Sequence, residues 1–333
     1  MNRYSSRRDF MYFLQLLFIF FLSSCSNLTK RLKIGYQNTF LPDSLIKTFP
    51  RDWGKEAINL QDFASNKYLK LNLSSDLLLV NDGWINSLDF KNFNIIDPVL
   101  FNKLDLRAKE YLNSFDDNKQ NKIFPIGVLP YVVIIKNNEK LQINSGQSWD
   151  FLLEKKLKGK IILPESPRLI ISIAERCKDK NSLKKLLNQE IIYDDKNALN
   201  RLVDSEALLA VMPYSFSHKY IKIDSRLSYI FPKHGVPLLW NFILSKSKSN
   251  DNELYEWIVS LEKNLVVNKL RKEGWFLPFA NEYIQNSYFF SDNVDPGNSM
   301  PTKECWLNSW SFAPLDNLER IDLETKWKDS LIP

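Results

Sequence analysis

The chain has 333 residues and is poor in glycine and histidine, and both shortages argue against whole classes of site. No two of its nine glycines fall close together, although a Rossmann fingerprint or a P-loop needs clustered glycines. The two histidines, His218 and His234, form no HExxH motif and have no cysteine pair beside them, so a zinc site has little support. A Gly-x-Ser-x-Gly elbow is also absent. We therefore expect a protein without a resident cofactor or metal and without a catalytic step.

Cysteine is equally scarce. Cys25, Cys177 and Cys305 are the only three, and the last two lie far apart in the sequence. Two such cysteines define no disulfide framework, even in an oxidising compartment. A free thiol at Cys177 is the simpler expectation, and a Cys177–Cys305 disulfide is the alternative.

A concentrated charge of one sign is lacking too. The formal net charge is only +6 at pH 7, and lysines alternate with acidic residues along the chain, as on a solvated surface. A nucleic-acid partner would need a basic face, so we expect none. With 44% apolar and 25% charged residues, the composition is that of a globular protein. The length exceeds the usual size of one core and indicates two domains or lobes.

The first 25 residues predict export. Three arginines precede an apolar run from Met11 to Leu22, and two serines and Cys25 follow it. Twelve helical residues rise about 18 Å, which is short of the roughly 30 Å hydrocarbon core of a membrane. A basic start, a short apolar run and small residues before a cleavage point are typical of a secretory signal.

The segment Leu22-Ser23-Ser24-Cys25 looks like the lipobox of bacterial lipoproteins, whose cysteine is acylated. We expect a signal peptide over residues 1–24, lipid attachment at Cys25 and a tether over residues 25–30. The mature protein would then lie on the periplasmic face of the plasma membrane. An uncleaved N-terminal anchor helix is the alternative. The arginine pair in this leader also resembles a twin-arginine signal, so both export routes stay open.

Strand patterns alternate with helix patterns along the rest of the chain. Continuous apolar runs at 76–80 and 207–212 indicate strands that are buried on both faces, as in parallel sheets. The long apolar stretch at 124–135 predicts a strand that crosses between two domains. This alternation predicts an α/β fold with parallel-rich sheets.

Polar loops follow four of the predicted strands, at residues 38–40, 82–84, 165–168 and 213–215. In parallel sheets ligands bind beyond the carboxyl ends of the strands. These loops therefore predict one shared binding site, with the candidate residues Asn38, Thr39, Asp82, Trp84, Glu165, Ser166 and Tyr214.

Six short segments stand in a characteristic order. They are LKIGY at 32–36, SDLLLVNDGW at 75–84, SWDFLL at 148–153, LKGKIILPESPR at 157–168, FPKHG at 231–235 followed by Trp240, and a terminal stretch ending at Trp327. Together they resemble the spermidine/putrescine family of substrate-binding proteins from ABC importers. The order and spacing of the segments, rather than any one of them, carry the resemblance.

The resemblance implies a type II periplasmic-binding-protein-like fold, in which two α/β lobes joined by crossing strands close around a ligand. It places lobe 1 at 31–128 and 242–290, and lobe 2 at 129–241 and 291–333. It implies a monomer that binds a small solute and delivers it to ABC permease subunits with a cytoplasmic ATPase.

The same resemblance adds Trp240 and Asn241 to the predicted ligand-binding residues. An amine ligand would take carboxylates such as Asp82 for its ammonium groups and aromatic faces for cation–π contacts. However, two positions where the family usually has an acid hold Leu169 and Phe242. The ligand class therefore stays open between a polyamine, a monoamine and a more neutral polar solute, and a degenerate scaffold is a further alternative.

Two other functions remain as alternatives. An iron(III)-binding protein of the same architecture would use tyrosines, and Tyr131, Tyr214 and Tyr220 could converge, although the chain has no Tyr-Tyr pair. An exported hydrolase would need His218 or His234 as its base, and no nucleophile motif accompanies either residue.

Overall fold

The computed structural model describes residues 32–37, 41–59, 74–137, 148–194, 197–221, 223–246, 251–287, 301–315 and 317–331. Residues 1–31, with the predicted signal peptide and Cys25, lie outside these ranges, as do Asn38 and Thr39. Within the described ranges, no helix is both long enough and apolar enough to cross a membrane.

Ten strands in the described ranges form one connected sheet. They are β1 (Lys33–Gln37), β2 (Gly54–Ile58), β3 (Leu77–Asn81), β4 (Phe124–Lys136), β5 (Ile161–Leu163), β6 (Ile192–Tyr193), β7 (Leu209–Pro213), β8 (Leu227–Ile230), β9 (Pro237–Ser245) and β10 (Trp310–Ser311). Their order is β2-β1-β3-β9-β4-β7-β5-β6, with β10 beside β9 and β8 beside β4. The outer strands run parallel, and β9 and β4 at the centre pair antiparallel to each other and to their outer neighbours β3 and β7.

Helices connect and cover these strands. They are α1 (Asp43–Ile46), α2 (Asp82–Ile85), α3 (Pro98–Phe101), α4 (Leu106–Leu112), α5 (Asp117–Gln120), α6 (Pro167–Ala174), α7 (Ser182–Leu187), α8 (Ala198–Asp204), α9 (Tyr214–Ile221), α10 (Asp251–Leu261), α11 (Asn264–Lys272), α12 (Glu282–Ser287), α13 (Lys303–Asn308) and α14 (Asn317–Leu331). Short 3-10 helices span Phe90–Asn92, Trp149–Leu153 and Lys155–Leu157.

Strand β4 joins the two halves of the sheet. Its first part, Phe124–Pro130, pairs with β9, whereas its second part, from Tyr131 onward, pairs with β7 and β8. Every residue of β4 except Lys136 is buried. The α/β architecture and the crossing strand are thus confirmed, with one half around β1–β3 and the other around β5–β7. The predicted lobe boundaries at 128/129 and 241/242 fall inside the paired strands β4 and β9, and they remain predictions.

A bulge and a close aromatic contact shape the first part of β4. Its pairing register with β9 shifts between Pro125 and Gly127, which marks a β-bulge. A strand tolerates a proline at such a bulge. A Cβ at Gly127 would lie 1.9 Å from the ring of Trp275, so only glycine leaves room for this indole. The Trp275 Nε1 group donates a 3.0 Å hydrogen bond to the carbonyl of Ile126. The buried indole thereby holds the first part of β4 in place.

The C-terminal segment contacts both halves. Strand β10 pairs beside β9, and α14 packs against α6 and α7 in the second half. From α4 in the first half, the Arg107 guanidinium donates a 2.7 Å hydrogen bond to the Trp306 carbonyl. The guanidinium of Arg176 lies 4.6 Å from the Trp310 ring, and Lys326 forms a 2.5 Å ion pair with Glu175. The two described cysteines, Cys177 and Cys305, are free thiols, and burial raises the pKa of each to about 12.

Candidate functional site

A cleft of about 1050 Å³ lies between the two halves. Its lining includes Asn81, Asp82 and Trp84 from the first half, and Tyr131, Glu165 and Arg168 from the second. A cavity lined from both sides of a crossing strand is the expected place for a ligand in this architecture.

Two strand ends deliver the polar groups to this cleft. Asp82 and Trp84 lie on α2, directly after β3, and the side chain of Asn81 begins that helix by accepting a 3.1 Å hydrogen bond from the Gly83 N–H. On the opposite wall, Ser166 begins α6 after β5 and accepts a 3.3 Å hydrogen bond from the Leu169 N–H. Both helices thus start at the carboxyl ends of parallel strands, as the topology predicts.

Asp82 is the buried carboxylate of the cleft. Only 6% of its surface is exposed, and its Oδ2 accepts a 2.9 Å hydrogen bond from the hydroxyl of Tyr111. Burial raises the pKa of Asp82 to about 6, because the charged form loses its hydration, while the nearby charge of Arg168 and the Tyr111 hydroxyl act in the opposite direction. Burial and the neighbouring carboxylate raise the pKa of Tyr111 well above its ordinary value.

Arg168 places a positive charge in the same cleft. Its guanidinium stacks over the Phe312 ring with 4.8 Å between the charge centre and the ring centroid. The same guanidinium donates a hydrogen bond to the carbonyl of Ala313. The charge of Arg168 lowers the pKa of Asp82, so the guanidinium lies close to the buried carboxylate. The C-terminal segment thus holds an internal cation beside Asp82.

A third carboxylate, that of Asp194, also lines the cleft but is matched by its own partners. It forms an ion pair with the Nε of Arg201 and accepts a 2.7 Å hydrogen bond from the backbone N–H of Asn197. These contacts tie Asp194 to helix α8.

Four of the predicted site residues line the cleft together, namely Asp82, Trp84, Glu165 and Ser166. Three others lie outside its lining. Tyr214 is 1% exposed and packs edge-on against Tyr229, and Asn241 is 2% exposed within β9. Their contact with a ligand remains a prediction.

Trp240, the third residue outside the lining, lies in the core. Its side chain is fully buried, its Nε1 donates a 2.7 Å hydrogen bond to the Ser311 hydroxyl, and its ring stacks on Tyr111 at 4.8 Å. Strand β9 runs through the centre of the sheet with every residue buried, so the indole does not reach the cleft surface. The Trp240 ring contacts Tyr111, and the backbone N–H of Trp240 donates a hydrogen bond to the Asp82 carboxylate. The predicted contact of the Trp240 side chain with a ligand remains a prediction.

Two residues of the site escape sequence reasoning. Arg168 stands in the same strand-end turn as Glu165 and Ser166, so its position alone was a usable signal. Tyr111 comes from helix α4, far along the chain from any strand end, and no sequence signal connects it with Asp82.

The tyrosines and histidines of the alternative functions are distributed unevenly. Tyr131 and Tyr220 line the cleft, whereas Tyr214 does not. Neither histidine lines the cleft. The Nδ1 of His218 lies 2.9 Å from the Ser215 carbonyl, and His234 is exposed in the segment before β9. Among the residues that the structure describes, no three His, Cys, Asp or Glu side chains cluster in a way that could hold a metal ion.

The described residues thus form two α/β halves that a crossing strand joins and a cleft separates. No protein-family model matches the sequence, and no curated protein gives a significant match. Among solved structures, the fold is similar to the spermidine/putrescine ABC transporter substrate-binding protein PotD from Streptococcus pneumoniae, with 15% identity and a TM-score of 0.62 over 91% of this chain and 99% of that one.

Two further solved structures are similar to the same extent. The TpPotD lipoprotein of Treponema pallidum is 12% identical, with a TM-score of 0.62 over 90% of this chain and 98% of that one. The ferric binding protein of Campylobacter jejuni is 14% identical, with a TM-score of 0.60 over 90% and 99%. The resemblance noted in the sequence is thus confirmed at the level of the fold.

Proposed function

We propose that this protein is an extracytoplasmic solute-binding protein of an ABC importer. It captures a small polar solute between its two lobes and delivers it to permease subunits that are driven by a cytoplasmic ATPase. The observation that carries the proposal is the cleft of about 1050 Å³, which has the buried carboxylate of Asp82 on one wall and the Glu165–Arg168 turn on the other. This volume is at the upper end of the range typical of small-molecule sites.

The arrangement supports capture rather than catalysis. The cleft lining that the structure describes offers carboxylates, amides, a guanidinium and aromatic faces, and neither histidine lies there. Such groups bind and orient a polar solute without a nucleophile and base pair. Closure of the two halves around the ligand would present the permease with a recognisable conformation.

Attachment to the membrane belongs to the same proposal. The leader over residues 1–24 directs export, and Cys25 carries the lipid that holds the protein on the periplasmic face as a monomer. Metabolic labelling of the full chain with an alkyne fatty acid in a Gram-negative host tests this attachment. We expect Cys25→Ser to abolish labelling and Cys177→Ser to leave it intact, and labelling that survives Cys25→Ser contradicts the anchor.

Ligand capture is tested with the soluble form that begins at Ser26. A thermal-shift panel of polyamines, amino acids and osmolytes should contain a solute that raises the melting temperature, because a ligand at a hundred times its Kd adds about 2.7 kcal/mol. Small-angle scattering should show that the same solute makes the protein more compact. Asp82→Asn should weaken the shift, whereas the exposed Asp117→Asn serves as the matched control. A panel that yields neither a shift nor a compaction overturns the proposal.

A further inference from the structure

The cleft presents both signs of charge to a ligand. Asp82, Glu165 and Asp194 bring carboxylates, of which Asp194 is already paired with Arg201. Arg168 is the only cationic side chain among the described residues that line the cavity. A ligand with charges of one sign only would face a like charge somewhere in this lining. The position of Arg168 therefore bears on the class of solute.

Several contacts fix Arg168 in place. Its guanidinium is stacked on Phe312 at 4.8 Å and is bonded to the carbonyl of Ala313, so two residues of the C-terminal segment hold it. A guanidinium carries five N–H donors in a planar fork, which is more than the Ala313 carbonyl and the Tyr111 hydroxyl together use. This fork matches a carboxylate in bidentate geometry. A fixed fork of this kind is a ready partner for a ligand carboxylate.

The backbone around Arg168 also favours a negatively charged group of the ligand. Arg168 lies in the first turn of the eight-residue helix α6, where the partial positive charge of the helix N-terminus adds to that of the guanidinium. The next residue is the apolar Leu169, which also lines the cleft, so this turn supplies no acid beyond Glu165.

A diamine suits this cleft poorly. One ammonium group would meet Asp82 or Glu165, but the second would approach a cleft that already contains an internal cation. Asp82 itself already lies within the field of Arg168. Arg168 thus takes the place that a second ligand ammonium would otherwise fill.

From these contacts we infer that the solute is a zwitterion of the ω-amino acid class, with its ammonium group toward the carboxylates of the cleft and its carboxylate on Arg168. Arg168 is then the residue that determines specificity against diamines. This inference rests on the proposed function, because it requires that the cleft bind a solute at all.

A matched pair of probes tests the inference. 4-Aminobutyrate and putrescine have similar length, and they differ in that a carboxylate of the first replaces an ammonium of the second. By titration calorimetry we expect the wild-type protein from Ser26 onward to bind 4-aminobutyrate at least tenfold more tightly than putrescine. Arg168→Gln should weaken 4-aminobutyrate binding at least tenfold and reverse the preference.

Two further variants serve as controls for Arg168→Gln. Arg176 also stacks on an aromatic ring of the C-terminal segment, that of Trp310, but does not line the cleft, so Arg176→Gln should leave both affinities unchanged. Should Arg168→Gln lower the melting temperature of the free protein strongly, Arg168→Lys retains the charge without the fork. We expect this variant to show an intermediate preference.

Three outcomes overturn the inference. They are a wild-type preference for putrescine, a preference that survives both substitutions at Arg168, and the binding of neither probe. Binding of neither probe by a protein that still responds to another solute in the thermal-shift panel leaves the proposed function standing. Failure across the whole panel overturns both.

Discussion

The hydroxyl of Tyr111 donates a 2.9 Å hydrogen bond to Oδ2 of Asp82 and so ties the cleft to the core. The ring of the same tyrosine stacks on the fully buried Trp240 at 4.8 Å. Trp240, Tyr111 and Asp82 therefore form a chain of contacts from the centre of the sheet to the ligand cleft. A rigid core can in this way hold a carboxylate in the position that a ligand needs.

Tyr111→Phe tests this link. The phenylalanine keeps the ring packing but leaves the buried Asp82 with one donor fewer, so we expect the free energy of unfolding to fall by about 1–3 kcal/mol. Urea denaturation of the ligand-free protein measures this change. Tyr193→Phe, which removes a hydroxyl away from the cleft, should change stability by less than about 0.5 kcal/mol. Equal effects of the two substitutions would show that the bond to Asp82 contributes nothing.

Trp240→Ala tests whether this tryptophan acts as core or as ligand contact. Because the indole is fully buried and bonded to Ser311, its removal should cost about 3–5 kcal/mol in the ligand-free protein. Trp84→Ala, at a half-buried position on the cleft wall, should cost clearly less and should weaken ligand binding instead. Melting curves with and without ligand separate the two effects. If the ligand-free Trp240→Ala protein melts at the wild-type temperature but no longer responds to ligand, Trp240 is a ligand contact and not a core residue.

Gly127→Ala probes the packing of the crossing strand. An added Cβ would collide with the buried Trp275, so we expect a loss of stability of about 1–3 kcal/mol from overpacking. Gly54→Ala is the matched control, since the nearest atom there belongs to the flexible side chain of Lys33 at 3.3 Å. Chemical denaturation of both variants gives the comparison. A tolerated Gly127→Ala would mean that Trp275 has room to move away from β4.

The elements of the fold were predictable because their signals are local. All five residues of β3 are buried, and so is every residue of β4 except Lys136. Strands that are buried on both faces have nearly continuous apolar sequence instead of an alternating pattern. The strand-end rule then located Asp82 and Glu165 at one cleft. Neither step needs information from distant parts of the chain.

The remaining features of the site depend on tertiary packing. Whether Trp240 points to the core or to the cleft is decided by the neighbours of β9 on either side, and a tryptophan in an apolar strand is compatible with both. Two contacts join residues that are distant in sequence. They are the hydrogen bond from Tyr111 to Asp82 and the stacking of Arg168 on Phe312. No periodicity encodes such contacts, so the sequence could propose the cleft without giving its charge arrangement.

The raised pKa of Asp82 predicts an unusual dependence of stability on pH. Burial raises this pKa from 3.8 to about 6 in the folded protein, so the folded state holds the proton more tightly than the unfolded state does. The contribution of Asp82 to the free energy of unfolding is therefore greatest below about pH 4. It falls as the pH rises toward about 6 and stays low above that, with a total change of at most about 3 kcal/mol.

Asp82→Asn isolates this contribution, because the other acids titrate in both proteins and cancel in the difference between them. Asparagine carries no charge at any pH and can still accept the hydrogen bond from Tyr111. We expect the stability of Asp82→Asn relative to the wild type to increase between pH 4 and pH 6 and then to remain constant up to pH 8. Urea denaturation of both ligand-free proteins in steps of half a pH unit gives this difference. A difference that stays flat from pH 4 to pH 6, or that falls, would mean that the carboxylate is well solvated or firmly paired with Arg168, and that burial does not govern its charge.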